Sequence, residues 1–263
     1  MTTEERNAKL AELFHPKSVA VIGASTRPGT VGNDIFRNLL LNGFNGSVYP
    51  VNPTSSHVLG VHSYPSLSDV PAAVDLAVVI VRADIVQSVV EEGIAKGVKG
   101  FVVISAGFKE SGAEGTAREA RLRDCVREAG VLLIGPNCLG IINTEPTVSM
   151  NAAFGRKMPS AGNLAFLSQS GALCTSVLDY AEERHMGFSK FVSFGNKADV
   201  NEVDLLEYLA HDQKTSVIAM YLEDITDGRR FIDQVREISW KTGKPMLCLK
   251  SGRSPEGAKA VSS

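Results

Sequence analysis

The 263-residue chain is 44% hydrophobic and 21% charged, an ordinary globular composition with length enough for one large domain or two medium ones. Its 27 basic and 29 acidic side chains leave a net charge of −2, which excludes a global field drawing the protein to nucleic acid or an anionic membrane, so any anion must be held locally. No apolar run approaches the roughly 18 residues that span a bilayer, and the four cysteines (Cys125, Cys138, Cys174 and Cys248) have no metal-ligand spacing; a cytoplasmic protein is expected, with reduced thiols, Cys248 buried in a strand, and no metal site.

From the amino terminus, MTTEERNAKLAELFHP reads as a charged helix rather than an apolar leader. Short apolar runs then alternate with amphipathic segments, the signature of strands and helices wound into a parallel α/β sheet. Strands are expected over 18–22, 47–51, 76–81, 100–104 and 131–134, with helices over 32–42, 84–96 and 113–129 between them. Asp84 is the expected N-cap of the second helix and Lys96-Gly97 its end. Pro146, Gly155, Pro159 and Gly162 break the alternation over 143–162, which places a linker at 146–162 between a Rossmann-like domain over 1–145 and a second domain over 163–263. There the pattern restarts as a second open α/β unit, with strands over 164–167, 190–194, 217–222 and 246–250 and helices over 172–184, 203–211 and 229–241. A last buried strand calls for a loop and a covering helix, yet only 13 residues follow Lys250, so this domain reads as incomplete.

The segment VIGASTRPGTVG runs from the first strand into a helix, with Gly23 at the strand end and Gly29 and Gly32 leading into the first turn. Free N–H groups at a helix start, together with the positive end of its dipole, bind phosphate. The spacing is not the strict dinucleotide fingerprint, and a plain tight turn would use the same glycines. A nicotinamide-binding unit also needs an acid at the end of its second strand. That strand ends Val51-Asn52-Pro53, with no acid before Asp69, which disfavours nicotinamide and leaves a phosphorylated ribose such as that of NADP or coenzyme A. Further loops leave the carboxyl ends of the strands at Arg82-Ala83, Ser105-Ala106-Gly107-Phe108 and Gly135-Pro136-Asn137-Cys138, where open α/β sheets form their ligand crevice.

In the second domain, LAFLSQSGALCTSVLDYA repeats the order of strand, small polar turn and helix. Ser168, Ser170 and Gly171 offer hydroxyls and amides to a phosphoryl group or carboxylate, with a plain N-cap as the alternative for Ser170. Glu223 and Asp224 end the strand SVIAMYLED, either as an exposed pair or as carboxylates facing a histidine or phosphate. No G-x-S-x-G elbow is present, and the five histidines (His15, His57, His62, His185 and His211) read as surface residues, which argues against Ser-His-Asp and Cys-His catalysis.

The blocks HPKSVAVIGAS, VYPVNP, GPNCLGIIN, FLSQSGAL, FGNKADV, YLEDITDGRRF and LKSGRSPEGAKA, in order along nearly the whole chain, resemble the NDP-forming acyl-CoA synthetases, also called ADP-forming acetate-CoA ligases, relatives of succinyl-CoA synthetase. The resemblance implies a CoA-binding Rossmann domain followed by a flavodoxin-like one. It implies a ligase that interconverts acyl-CoA, ADP and phosphate with acid, CoA and ATP through an acyl phosphate and a phosphohistidine. Carried onto this sequence, it places the CoA diphosphate on Gly23, Ala24 and Ser25, the adenosine near Asn52 and Pro53, and the pantetheine near Ser105, Ala106, Gly107 and Asn137, with Arg82 in the same cofactor-binding set. Many members carry lysine where this chain has Thr54, so Arg27 becomes the expected anchor of the 3′-phosphate. Ser168, Gln169, Ser170 and Gly171 would cradle the phosphate of the phosphohistidine, and Glu223 would be the catalytic carboxylate that orients it and fixes its tautomer.

In such ligases that histidine stands in an SSHTG-type loop, whereas this sequence ends at Ser262-Ser263. The expectation is a portion of a longer ligase that is inactive alone, with ATP or ADP and magnesium held by an ATP-grasp domain or beta subunit, and with homo- or hetero-oligomeric assembly. A second reading is a CoA-binding regulatory module of a protein acetyltransferase. A nicotinamide oxidoreductase is the third and is disfavoured by the neutral end of the second strand.

Overall fold

The computed structural model describes residues 1–155 and 158–252. Helix α1 (Thr3–Phe14) is started by a capping box between Thr2 and Glu5 and turns Leu10, Leu13 and Phe14 into the core. Five strands follow that pair side by side in the order β2-β1-β5-β6-β7, all parallel: β1 (Ser18–Ile22), β2 (Ser47–Val51), β5 (Leu76–Val79), β6 (Gly100–Val103) and β7 (Leu132–Ile134). Every residue of β1, β5, β6 and β7 is buried, the mark of a parallel sheet covered on both faces. The crossovers carry α2 (Val31–Leu41), α3 (Ala83–Lys96) and α4 (Ala113–Glu128). A small antiparallel hairpin, β3 (His57–Val58) and β4 (Val61–His62), sits between β2 and β5. Helix α3 ends at Gly97 in the left-handed region, as its sequence predicts, but its N-cap is Arg82, and Asp84 lies inside the first turn.

The second sheet has six strands in the order β13-β12-β10-β11-β8-β9. Strands β10 (Ala161–Ser168), β11 (Phe188–Ser193), β12 (Val217–Leu222) and β13 (Met246–Lys250) are parallel, with α5 (Gly171–Glu183), α6 (Glu202–His211) and α7 (Gly228–Thr242) between them. The stretch expected to be a linker, 146–162, carries a strand at 150–153 and the first residues of β10. Strand β8 (Gly140–Asn143) pairs antiparallel with β11, and β9 (Met150–Ala153) pairs antiparallel with β8, so the second sheet is mixed. Both strands are wholly buried, and Asn38 of α2 donates to the carbonyls of Ala153 (2.8 Å) and Gly155 (2.7 Å), tying the hairpin to the first sheet's helix. Cys248, expected to be buried, is exposed because β13 is the edge of the sheet, where Leu247 and Leu249 are also open. The five histidines are exposed, as their sequence settings suggest.

The two sheets share one core. A single cluster of buried side chains includes Val19, Ile35 and Phe36 of the first half with Ile141, Val192 and Leu206 of the second. The Phe14 and Tyr208 rings stack at 4.8 Å, and Asn143 donates to the Phe14 carbonyl (2.9 Å). Residues 194–200 lie along the exit of β7, with amides of Asn196, Ala198 and Val200 donating to carbonyls of Pro136, Gly135 and Leu133. Asp199, with no side-chain exposure, accepts from Arg6 (3.1 Å), Arg127 (3.4 Å) and the Leu133 amide (3.2 Å), so one buried carboxylate joins α1, α4 and β7.

Candidate functional site

The carboxyl ends of both sheets open into one cleft of about 1340 Å³. From the first sheet it receives Ile80 and Val81 after β5, Ser105 and Ala106 after β6, and Asn137 and Cys138 after β7. From the second it receives Gln169, Ser170 and Gly171 after β10, Asn196 after β11, and Glu223 and Asp224 after β12. Val31, the first residue of α2, also lines it. The space exceeds the ~300–1,000 Å³ usual for a drug-sized ligand, which suits a long molecule lying across two strand-exit rows.

The turn before α2 is built by glycine. Gly23 has φ +93°, and a Cβ on it would meet the Ile80 carbonyl oxygen at 2.1 Å; on Gly32 it would meet the Gly23 oxygen at 2.0 Å. The helix start is thereby pressed onto the strand exits. No side chain caps α2, since the Thr30 hydroxyl donates instead to the Arg27 carbonyl (2.8 Å), so its first-turn amides are left for an anion. The Gly23 amide itself is committed to the Val51 carbonyl (3.0 Å). Asn52 braces the turn: its amide donates to the Ala24 carbonyl (2.7 Å), and its Oδ1 accepts from Thr54 and Ser55. Ala24 is buried, Ser25 is half-buried with its hydroxyl accepting from the Arg27 amide, and Arg27 and Pro53 are exposed.

Several expected ligand groups are used by the fold. The Gly107 amide donates to Glu110 (2.6 Å) and its carbonyl accepts from Arg118, so Gly107 does not line the cleft. Arg82 is exposed and forks onto Asp84 (2.7 and 3.1 Å), away from the cleft lining. Ser168 is wholly buried, its hydroxyl exchanging bonds with the backbone of Ser170, so it shapes the turn rather than facing a ligand. The Ser105 hydroxyl accepts from the Val81 amide (3.1 Å) and stitches two strand exits together.

At the head of α5, Ser170 caps the helix through the Leu173 amide (3.3 Å), while Gly171 and Ala172 line the cleft with first-turn amides that have no intrahelical partner. Gln169 locks this turn to β12. Its Oε1 accepts from the amides of Glu223 (2.6 Å) and Asp224 (3.1 Å), and its Nε2 donates to the Asp224 carboxylate. Burial pushes the Glu223 carboxyl up, with the Asp224 charge adding to it and Lys109 and Lys250 opposing. Burial would raise Asp224 as well, but Gln169 and Lys197 outweigh it and hold that carboxyl low.

Lys109, Glu110, Asn196 and Lys197 brace the cleft and are not singled out by motif or spacing. Lys109 donates to the Asn196 carbonyl (2.7 Å), and Asn196 donates to Glu110 (2.6 Å) and Glu119 (2.8 Å), so the loop after β6 is bound to the loop after β11. The charged pair Lys109-Glu110 directly after the small-residue strand exit was the available signal. Burial works to raise Glu110, but Asn196 and the amides of Gly107 and Phe108 hold it below its ordinary 4.5. A carboxyl depressed in the folded state contributes stability above its unfolded pKa and loses it as pH falls through the folded one. Thermal melts are therefore expected to drop as the pH is lowered below about 4.5, and Glu110→Gln is expected to flatten that acid limb; an unchanged limb would contradict the bracing role.

Residues 17–144 match the family profile described as CoA binding domain, and residues 161–263 match the succinyl-CoA ligase like flavodoxin domain. An ADP-forming acetate–CoA ligase I of Archaeoglobus fulgidus is 50% identical over 97% of this chain, and an alpha subunit of an ADP-forming acetate–CoA ligase II of Pyrococcus furiosus is 44% identical over 95% of it. Acetyl-coenzyme A synthetase 1 of Ca. Korarchaeum cryptofilum, solved with phosphate and ADP, superposes with a TM-score of 0.89 at 43% identity over 96% of this chain. The chain spans 36%, 53% and 53% of these three proteins respectively. Relatives of this kind do not support the reading as a regulatory module of an acetyltransferase. Among the described residues no helix is long and apolar enough to cross a membrane.

Proposed function

We propose, for a chain that belongs to the ADP-forming acyl-CoA synthetase family and carries its CoA-binding and succinyl-CoA-ligase-like domains, that it forms the acyl-CoA-handling part of such a ligase. The observation that carries this reading is the cleft itself, where an uncapped helix start on one sheet and a second helix start and carboxylate on the other face one continuous space. The diphosphate of CoA would rest on the first-turn amides of α2, beside Gly23, Ala24 and Ser25. The pantetheine would run past Ser105, Ala106 and Asn137 and bring the thioester to Gln169, Ser170 and Gly171. Arg27 and Pro53, both exposed, would meet the adenosine end, where the neutral tip of β2 would accept a phosphorylated ribose.

In the proposed reaction inorganic phosphate, held by the Gly171 and Ala172 amides, attacks the thioester carbonyl. The C–O bond forms, the C–S bond breaks, and CoA leaves as thiolate with an acyl phosphate behind. Two helix starts supply the electrostatic hold on the phosphate and on the oxyanion without a charged side chain. Glu223, partly desolvated beside the head of α5, would accept a hydrogen bond from the imidazole that next receives the phosphoryl group. None of the five histidines lines the cleft, and residues 253–263, which the resemblance places before that imidazole, lie outside the described residues. The ADP site and its magnesium would belong to an ATP-grasp domain or partner subunit.

Calorimetry of this chain tests the reading. Saturable binding of CoA that NADH does not displace is the expected result; no binding at millimolar CoA, or NADH binding that CoA cannot compete away, would overturn it.

A further inference from the structure

Helix α7 buries Phe231 and Ile238 on its inner face and turns a row of charged and aromatic side chains to solvent. Arg229, Asp233, Arg236 and Trp240 recur at intervals of four, three and four residues, which at 3.6 residues per turn sets them within about 60° of arc, opposite the buried pair. All four are exposed, Trp240 at 87%, and Ile232 beside the row is 50% open. A nearly bare tryptophan flanked by arginines is the composition found at the centres of interfaces. The neighbouring Glu237 pairs with Lys241 at 2.5 Å, whereas Arg229, Asp233 and Arg236 make no ion pair among the described residues. Arginine ahead of aspartate is the weaker order for a pair four residues apart, so the row is poorly served by its own helix.

We propose that this face is a two-fold interface between two copies of the chain, with α7 packed antiparallel on the same helix of the partner. The row is symmetric about the midpoint between Gln234 and Val235: Asp233 and Arg236 lie equally far from it, and so do Arg229 and Trp240. A two-fold axis at that point sets each Asp233 carboxylate opposite the partner's Arg236 and each Arg229 guanidinium opposite the partner's Trp240. Two ion pairs and two cation–π contacts form together. A parallel pair would instead set each charge against its own kind, which is repulsive. The helix has 15 residues and is about 22 Å long, so such a pair buries less than the roughly 1,200 Å² of a standard stable interface. The dimer is therefore reversible. No residue of α7 lines the cleft, and the inference does not rest on the acyl-CoA reading.

Trp240 is the only tryptophan of the chain, so its emission reads this face directly. Sedimentation of the full chain is expected to show monomer passing to dimer as concentration rises, with the Trp240 emission moving to shorter wavelength over the same range. Asp233→Arg and Arg236→Asp each put like charges across the axis, and each is expected to weaken the dimer about tenfold or more. Mixed in equal amounts, the two variants are expected to recover a heterodimer, because both ion pairs form again between unlike chains. Trp240→Ala is expected to weaken self-association by at least about tenfold. A chain that stays monomeric, with unshifted Trp240 emission up to millimolar concentration, overturns the proposal and leaves the face to another domain of a longer ligase. A dimer that neither charge reversal weakens, or singly reversed variants that fail to associate on mixing, overturns it as well.

Discussion

Lys197→Met is expected to lower the unfolding free energy by about 3–5 kcal/mol, read as a fall in urea midpoint with an unchanged slope. Lys197 is nearly buried, and its ammonium donates to Glu202 and to the Asp224 carbonyl, both at 3.0 Å. Glu202 has 2% side-chain exposure. Methionine fills the space of the lysine stem but leaves the Glu202 carboxylate without its cation inside the fold, and an unpaired buried charge is the large term. The pair as a whole is a different matter: Lys197→Met with Glu202→Leu removes both charges and is expected to restore most of the loss. The single variant also removes the ammonium paired with Asp224, leaving that carboxylate to Gln169 alone, so any phosphate affinity at the head of α5 is expected to fall with it. A loss below about 1 kcal/mol, the scale of an exposed ion pair, would show that solvent reaches Glu202.

Gly23→Ala is the second large effect, and it falls on the ligand. At φ +93° an alanine is strained by about 1–2 kcal/mol, and its Cβ would sit 2.1 Å from the Ile80 carbonyl oxygen, which is backbone and cannot swing aside. The turn must move away from β5, carrying the first-turn amides of α2 with it. CoA affinity is expected to drop tenfold or more, a change of about 1.4 kcal/mol or more. Gly29→Ala supplies the control: φ is +76° there, but nothing lies within 4 Å of the added carbon, so strain is present without displacement and affinity is expected to change little. Equal losses in both variants would mean that backbone strain, and not the position of the helix start, controls binding.

The regular alternation made much of this molecule legible. Buried parallel strands are continuous apolar runs bounded by turn residues, and β1, β2, β12 and β13 carry the bounds expected of them. The hairpin β8–β9 escaped because GIIN and MNAA are short and buried on both faces, so they show no alternation, while Pro146 and Gly155 advertise a break. Gly107 is placed off the cleft lining for a different reason. Its loop looks open to a ligand, but the carboxylate three residues on reaches back to take its amide, a local competition that composition does not reveal. Ser168 and Asn52 are of the same kind, since small polar residues at strand exits serve the turn as readily as a ligand. What spacing alone could not supply was the meeting of the two halves. Gln169, Asn196 and Glu110 do their work across the gap between sheets, and only the fold places them opposite one another.

The crystal structure of this chain with CoA bound tests the central claim most directly. Diphosphate oxygens are predicted within hydrogen-bonding distance, about 2.7–3.2 Å, of the Val31 and Gly32 amides, with the pantetheine passing Ser105 and Asn137 toward Gly171. A diphosphate held elsewhere on the molecule, or a thiol directed away from the head of α5, would contradict it.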